Sequence, residues 1–128
     1  MKPIIVLSIA LVLSSCAGRP VIPAAVQIEA EHPLTCEGKD QCDLFWQRAQ
    51  FYVNKYSAFK IQLVNDSLIQ TYSPSGGSPS LGYNISREPT QSGSSRIWVK
   101  LWCDNMFGCY PEIVPELAKF KTYVRTGS

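Results

Sequence analysis

The chain has 128 residues, 45% of them hydrophobic and 17% charged, a balance too apolar for a disordered protein and sized for one core rather than two. Twelve lysines and arginines against ten acids leave a net charge of +2, which excludes a charge-driven partner such as nucleic acid. Five cysteines and a single histidine remove the usual Ser/His and Cys/His catalytic machinery and make the redox compartment the first question.

At the N-terminus Lys2 supplies one positive charge, residues 4–13 are apolar apart from Ser8, and Ser14-Ser15-Cys16-Ala17-Gly18 is a run of small residues. This is the three-part layout of an export signal. The apolar run is about half of the roughly 20 residues that a transmembrane helix needs, so the segment is read as one to be cut away. Leu13-Ser14-Ser15-Cys16 resembles the lipobox of bacterial lipoprotein precursors, and the resemblance covers only this segment. It implies cleavage just before Cys16, a diacylglyceryl group on the Cys16 sulfur and an acyl chain on its freed amine. Each buried methylene contributes about 0.8 kcal/mol, so several long chains hold a protein at a bilayer far more firmly than one. In a Gram-negative host, Ala17 rather than Asp after the cysteine implies sorting to the outer membrane, facing the periplasm. The alternative is an ordinary secretory signal cut after Ala17, which leaves a soluble protein and discards Cys16. Cysteine parity supports the lipobox reading, because the other four cysteines can pair fully and leave Cys16 for lipid, whereas five in an exported body would strand one thiol.

Residues 16–33 are expected to be a lipidated tether. Pro20, Pro23 and Pro33 suit an extended spacer, although the alternation in Val26-Gln27-Ile28-Glu29 also fits a short edge strand. His32 lies here and reads as a solvated linker residue.

Residues 34–128 are expected to form one globular domain. Apolar positions Cys42, Phe45, Ala49, Tyr52 and Tyr56 step by three and four, with Trp46 and Val53 widening the stripe, which predicts an amphipathic helix capped by Asp40. Phe59-Lys60-Ile61-Gln62-Leu63-Val64 alternates, Asn65-Asp66-Ser67 turns, and Leu68-Ile69-Gln70-Thr71-Tyr72 returns as a hairpin. The expected turn has three residues, which gathers Ile61, Leu63 and Ile69 on one face; a two-residue turn would reverse the second strand. Residues 73–80 form a Gly- and Pro-rich loop. A second hairpin follows, with strands over 81–87 and 96–103, and a last helix from about Glu112 to Arg125 turns Leu117, Phe120 and Val124 inward. Pro115 is tolerated in its first turn, and Lys119, Lys121 and Arg125 complement its C-terminal dipole. Asn65-Asp66-Ser67 and Asn84-Ile85-Ser86 match a eukaryotic glycosylation pattern and are read as chance behind a lipobox.

Cys36 and Cys42, and Cys103 and Cys109, are each six apart, and each pair brackets a polar loop before a helix. Two local disulfides are the expectation, with cross-pairing of the loops left open by spacing alone. A four-thiolate zinc site is disfavoured by the spacing and by an oxidising compartment, and no metal or other cofactor is expected beyond the lipid on Cys16.

The expected fold is thus α+β: a four-stranded antiparallel sheet of two hairpins packed on an N-terminal and a C-terminal helix. If Ile97, Val99 and Leu101 face the helices, Trp98, Lys100 and Trp102 project from the opposite face and form a candidate binding surface. The expected function is that of a membrane-anchored envelope lipoprotein with a non-enzymatic binding or assembly role. Its partners are the lipid bilayer through Cys16 and an envelope protein or glycan. The alternative is a small hydrolase using a carboxylate pair drawn from Glu37, Asp40, Asp43, Asp66, Glu88 and Asp104.

Overall fold

The computed structural model describes residues 18–128, so Cys16 and the lipobox lie outside the described residues. The element order is α1 (Ala24–Glu31), β1 (Leu34–Cys36), α2 (Gly38–Tyr56), β2 (Ile61–Val64), β3 (Leu68–Thr71), β4 (Gly82–Pro89), β5 (Ser95–Trp102) and α3 (Ile113–Thr126). The α+β class stands, but the antiparallel sheet has five strands in the order β1-β5-β4-β3-β2 and three helices accompany it. Strands β2 to β5 form a meander. The added strand, β1, is only three residues long, too short for alternation to reveal, and it pairs with the free edge of β5 from Leu34↔Ile97 to Cys36↔Ser95.

The core lies between the helices and one face of the sheet. Phe45, Trp46, Ala49, Tyr52 and Val53 of α2 and Phe120 and Val124 of α3 meet Leu34, Ile69, Tyr83, Ile85, Ile97 and Leu101 of the sheet. The stripe expected on α2 is therefore the buried one, except that Tyr56 remains 45% exposed near the helix end. That helix starts at Gly38 with Glu37 as its N-cap residue, so Asp40 sits within the first turn rather than capping it. The Gln41 side chain accepts instead from the Glu37 amide at 2.7 Å.

The expected spacer needs correction, because residues 24–31 are a helix. Pro23 occupies its N-cap and Pro33 follows its end, so two of the prolines bound the helix rather than extend the chain. An eight-residue helix is marginal alone, and α1 buries only Ala30. What holds it is α3: Lys121 Nζ donates to the Ala30 carbonyl at 2.6 Å and the His32 carbonyl at 2.8 Å, and Arg125 pairs with Glu29. The charges expected to serve α3's own terminus thus cap the neighbouring helix. The end of α3 is closed by Gly127 at φ 83°, and by Arg48 of α2, whose Nη1 donates to the Val124 and Arg125 carbonyls.

The first hairpin has a two-residue turn in place of the expected three-residue one. Asn65 N donates to the Leu68 carbonyl, and Asn65 Oδ1 accepts from the Ser67 and Leu68 amides, each at 2.9 Å. Val64 therefore pairs with Ile69 and Leu63 with Gln70, while an irregularity between Ile61 and Leu63 restores Ile61 opposite Thr71. Ile61 packs against the core cluster that contains Ile69, whereas Leu63, expected beside them, is 45% exposed.

Candidate functional site

The second hairpin pairs eight residues without interruption, from Gly82↔Trp102 to Pro89↔Ser95. Its alternation buries Ile97 and Leu101, half-buries Val99, and leaves Trp98 and Lys100 exposed on the face away from the helices. Trp98 is 47% exposed. Trp102 is half-buried, because Pro74 of the preceding loop closes over the end of the strand: a Cβ on Gly82 would lie 2.6 Å from Pro74 Cδ and 3.1 Å from Trp102 Cε2. The three residues expected to share a face do so, but with unequal access.

Two further residues belong to this surface. The Trp98 indole N–H donates to Glu88 Oε2 at 2.6 Å, and the Arg96 guanidinium lies 3.9 Å from the Trp98 ring centre. Lys100 Nζ stands 5.8 Å from the Trp102 ring centre. Period-two alternation alone puts Arg96 on the same face as Trp98, and the register sets Glu88 directly opposite Arg96. The next strands add Asn84 opposite Lys100 and Gln70 opposite Asn84. The result is a cation-aromatic stripe beside side-chain amides, with one indole clamped by a hydrogen bond and a stacked cation.

The carboxylates considered for hydrolysis are dispersed. Glu37 and Asp40 are exposed at the start of α2, Glu88 holds the Trp98 indole, and Asp104 accepts from the Gly77 amide. Asp43 and Asp66 do line one open cavity of about 540 Å³ with Lys39 and Arg87. However, Asp43 Oδ1 accepts from both Arg87 Nη atoms and Oδ2 from Lys39. The Lys39 hydrogen bond, opposed by partial desolvation and reinforced by Arg87, holds the Asp43 carboxyl below its ordinary range.

A buried polar cluster was not legible in the sequence. Glu116 of α3 is 7% exposed, and its Oε1 accepts from the Tyr52 hydroxyl at 2.6 Å and the Tyr83 hydroxyl at 2.9 Å. It joins α2, β4 and α3 through one oxygen and lines a small cavity of about 250 Å³ with Tyr56, Ser80, Tyr110 and Lys119. Burial first, then Glu116, pushes both tyrosine pKa values far above the ordinary range. The periodic pattern of α3 does put Glu116 one turn before Phe120, which was the available signal.

Both local disulfides form, Cys36–Cys42 and Cys103–Cys109. Among the described residues no group of three or more His, Cys, Asp or Glu side chains is arranged to hold a metal ion, and no helix is long and apolar enough to cross a membrane. His32 is exposed beyond α1, its Nδ1 3.1 Å from the Pro33 carbonyl. No family model, no curated protein and no solved structure matches this chain.

Proposed function

We propose that this is a lipid-anchored, non-enzymatic protein of the bacterial cell envelope that binds a protein partner in an assembly role. Cys16 carries the anchor, which in a Gram-negative host sits in the outer membrane facing the periplasm. The partner surface is the outer sheet face bearing Trp98, Lys100 and Trp102, extended by Arg96. The observation that carries this reading is the half-exposed Trp98 indole, held by Glu88 and Arg96 on a sheet face turned away from the helices. A large aromatic side chain fixed before binding loses little entropy on association, and Trp and Arg dominate interface energetics.

A protein partner fits better than a glycan because the Arg96 guanidinium already occupies a face of the indole on which a sugar ring would stack. The hydrolase alternative has less support: a general acid needs a raised pKa, and the cations around Asp43 act in the opposite direction. The test is chemical cross-linking in intact cells with the native chain, Trp98→Ala and Lys100→Glu. A specific protein adduct in the native chain that both folded variants lose supports the reading. Retention of the adduct by both variants rejects this surface, and loss of glycan retention alone would assign it to a sugar instead.

A further inference from the structure

The largest fully solvated apolar side chains cluster at one end of the molecule. Met106 is 90% exposed, Phe107 84%, Tyr110 81% and Val21 92%. Met106 and Phe107 sit at the tip of the loop closed by the Cys103–Cys109 disulfide. This loop is well braced. Asp104 N donates to the Ser78 carbonyl, Tyr110 N to the Pro79 carbonyl and Asn105 Nδ2 to the Gly77 carbonyl, while Asn105 Oδ1 accepts from the Phe107 amide. The carboxylate of Asp104 turns back to the Gly77 amide. A rigid loop that holds two large apolar side chains in water bears a cost that only an apolar contact recovers.

The N-terminal segment comes to the same place. Arg19 and Ile22 line a surface cavity of about 600 Å³ with Phe107, Tyr110 and Ile113, and Val21 and Ile22 line a neighbouring one with Tyr110. Cys16 precedes Gly18 by two residues, a contour of at most about 7 Å.

We propose that the loop bearing Met106 and Phe107 is a membrane seat that rests in the bilayer beside the lipid anchor; this rests on the reading of Cys16 as lipidated. Met106, Phe107 and Val21 enter the boundary between headgroups and acyl chains. Tyr110 lies at headgroup level, where an aromatic ring with one polar end is favoured, and Arg19 faces lipid phosphate. The occupant is phospholipid because the chain that leads to the anchor ends at this patch. Helices α1 and α3 both begin at this end, so a seated domain projects them away from the membrane and holds the Trp98 face at a fixed height rather than swinging on a free tether.

The test uses the full chain processed in a bacterial envelope, with the photoreactive residue benzoylphenylalanine in place of Phe107 or, as reference, of Val64 beside the β2–β3 turn. Intact mass of the same samples reads the state of Cys16. The expected result is a phospholipid adduct at position 107 and none at 64. An adduct to another protein or to a second copy of this chain at 107 overturns the seat, as does the lack of a lipid adduct when Cys16 is lipidated. An unlipidated chain that still gives the lipid adduct at 107 retains the seat and rejects the anchor; an unlipidated chain without it rejects both.

Discussion

The Tyr52 hydroxyl donates to Glu116 Oε1 over 2.6 Å, and the same oxygen accepts from Tyr83, so one buried carboxyl group joins both helices of the core to the sheet. Tyr52→Phe removes one of two donors to a buried acceptor and is expected to cost about 1–3 kcal/mol, with Tyr83→Phe similar. Denaturant unfolding of each variant and of the double variant checks this; coupling between the two substitutions is the mark of a shared acceptor.

The same cluster sets the alkaline limit. Burial, then Glu116, raises the pKa of Tyr52 and Tyr83 in the folded state, while the unfolded chain ionises near 10. The stabilisation is therefore complete below pH 10 and falls as pH rises above it, by about 1.4 kcal/mol per pH unit for each tyrosine. A tyrosinate absorbance titration is expected to show these two groups ionising only as the fold is lost.

Lys121 carries α1. Lys121→Met keeps the stem but leaves the Ala30 and His32 carbonyls without their donor, at an expected cost of about 1–3 kcal/mol. Amide exchange over residues 24–32 is expected to rise to that of an unprotected segment while α2 stays protected. Burial, then Arg125, lowers the Lys121 pKa below its ordinary 10.5. The unfolded chain thus binds this proton more tightly, and the site's penalty is relieved as pH rises from the depressed value toward 10.5, opposite in sign to the tyrosines. Lys121→Met abolishes that contribution.

Gly82 is fixed by packing rather than by backbone conformation. A Cβ there meets Pro74 Cδ at 2.6 Å and Trp102 at 3.1 Å, so Gly82→Ala is expected to cost about 1–3 kcal/mol and to raise the solvent exposure of Trp102. Tryptophan fluorescence together with thermal unfolding tests both effects.

The two disulfides close loops of equal length, each worth about 2 kcal/mol in chain entropy. Their surroundings differ, since Cys36 and Cys42 are core residues whereas Cys103 and Cys109 are half-buried. Replacing Cys36 and Cys42 by serine is expected to destabilise more than replacing Cys103 and Cys109, because it also buries two hydroxyls. Thermal melts of the two double variants compare them directly.

Legibility followed the length of each periodic signal. Helix α2, with nineteen residues and a continuous apolar stripe, and the pairing of β4 with β5 were plain from spacing, although Glu88, Pro89 and Ser95, expected outside the strands, extend the hairpin. So was the division of β5 into Ile97, Val99 and Leu101 against Trp98, Lys100 and Trp102. Helix α1 was hidden because what stabilises it, Lys121 and Arg125, lies about ninety residues away along the chain. Strand β1 was hidden by its three residues, the placing of Leu63 by a turn length that the sequence leaves ambiguous, and that of Ile61 by a bulge that no local pattern announces. At the candidate surface the tryptophans were legible and the same alternation offered Arg96, but Glu88 required the register. The Glu116 cluster required all three elements to be in place.

The most direct measurement is the intact mass of the protein recovered from the membrane fraction of bacterial cells that produce the full chain, with and without globomycin. A lipid anchor predicts a chain beginning at Cys16 that carries the mass of a diacylglyceryl group and one further acyl chain, replaced under globomycin by the uncleaved precursor. An unlipidated chain beginning after Ala17, recovered in the soluble fraction and indifferent to globomycin, would contradict it.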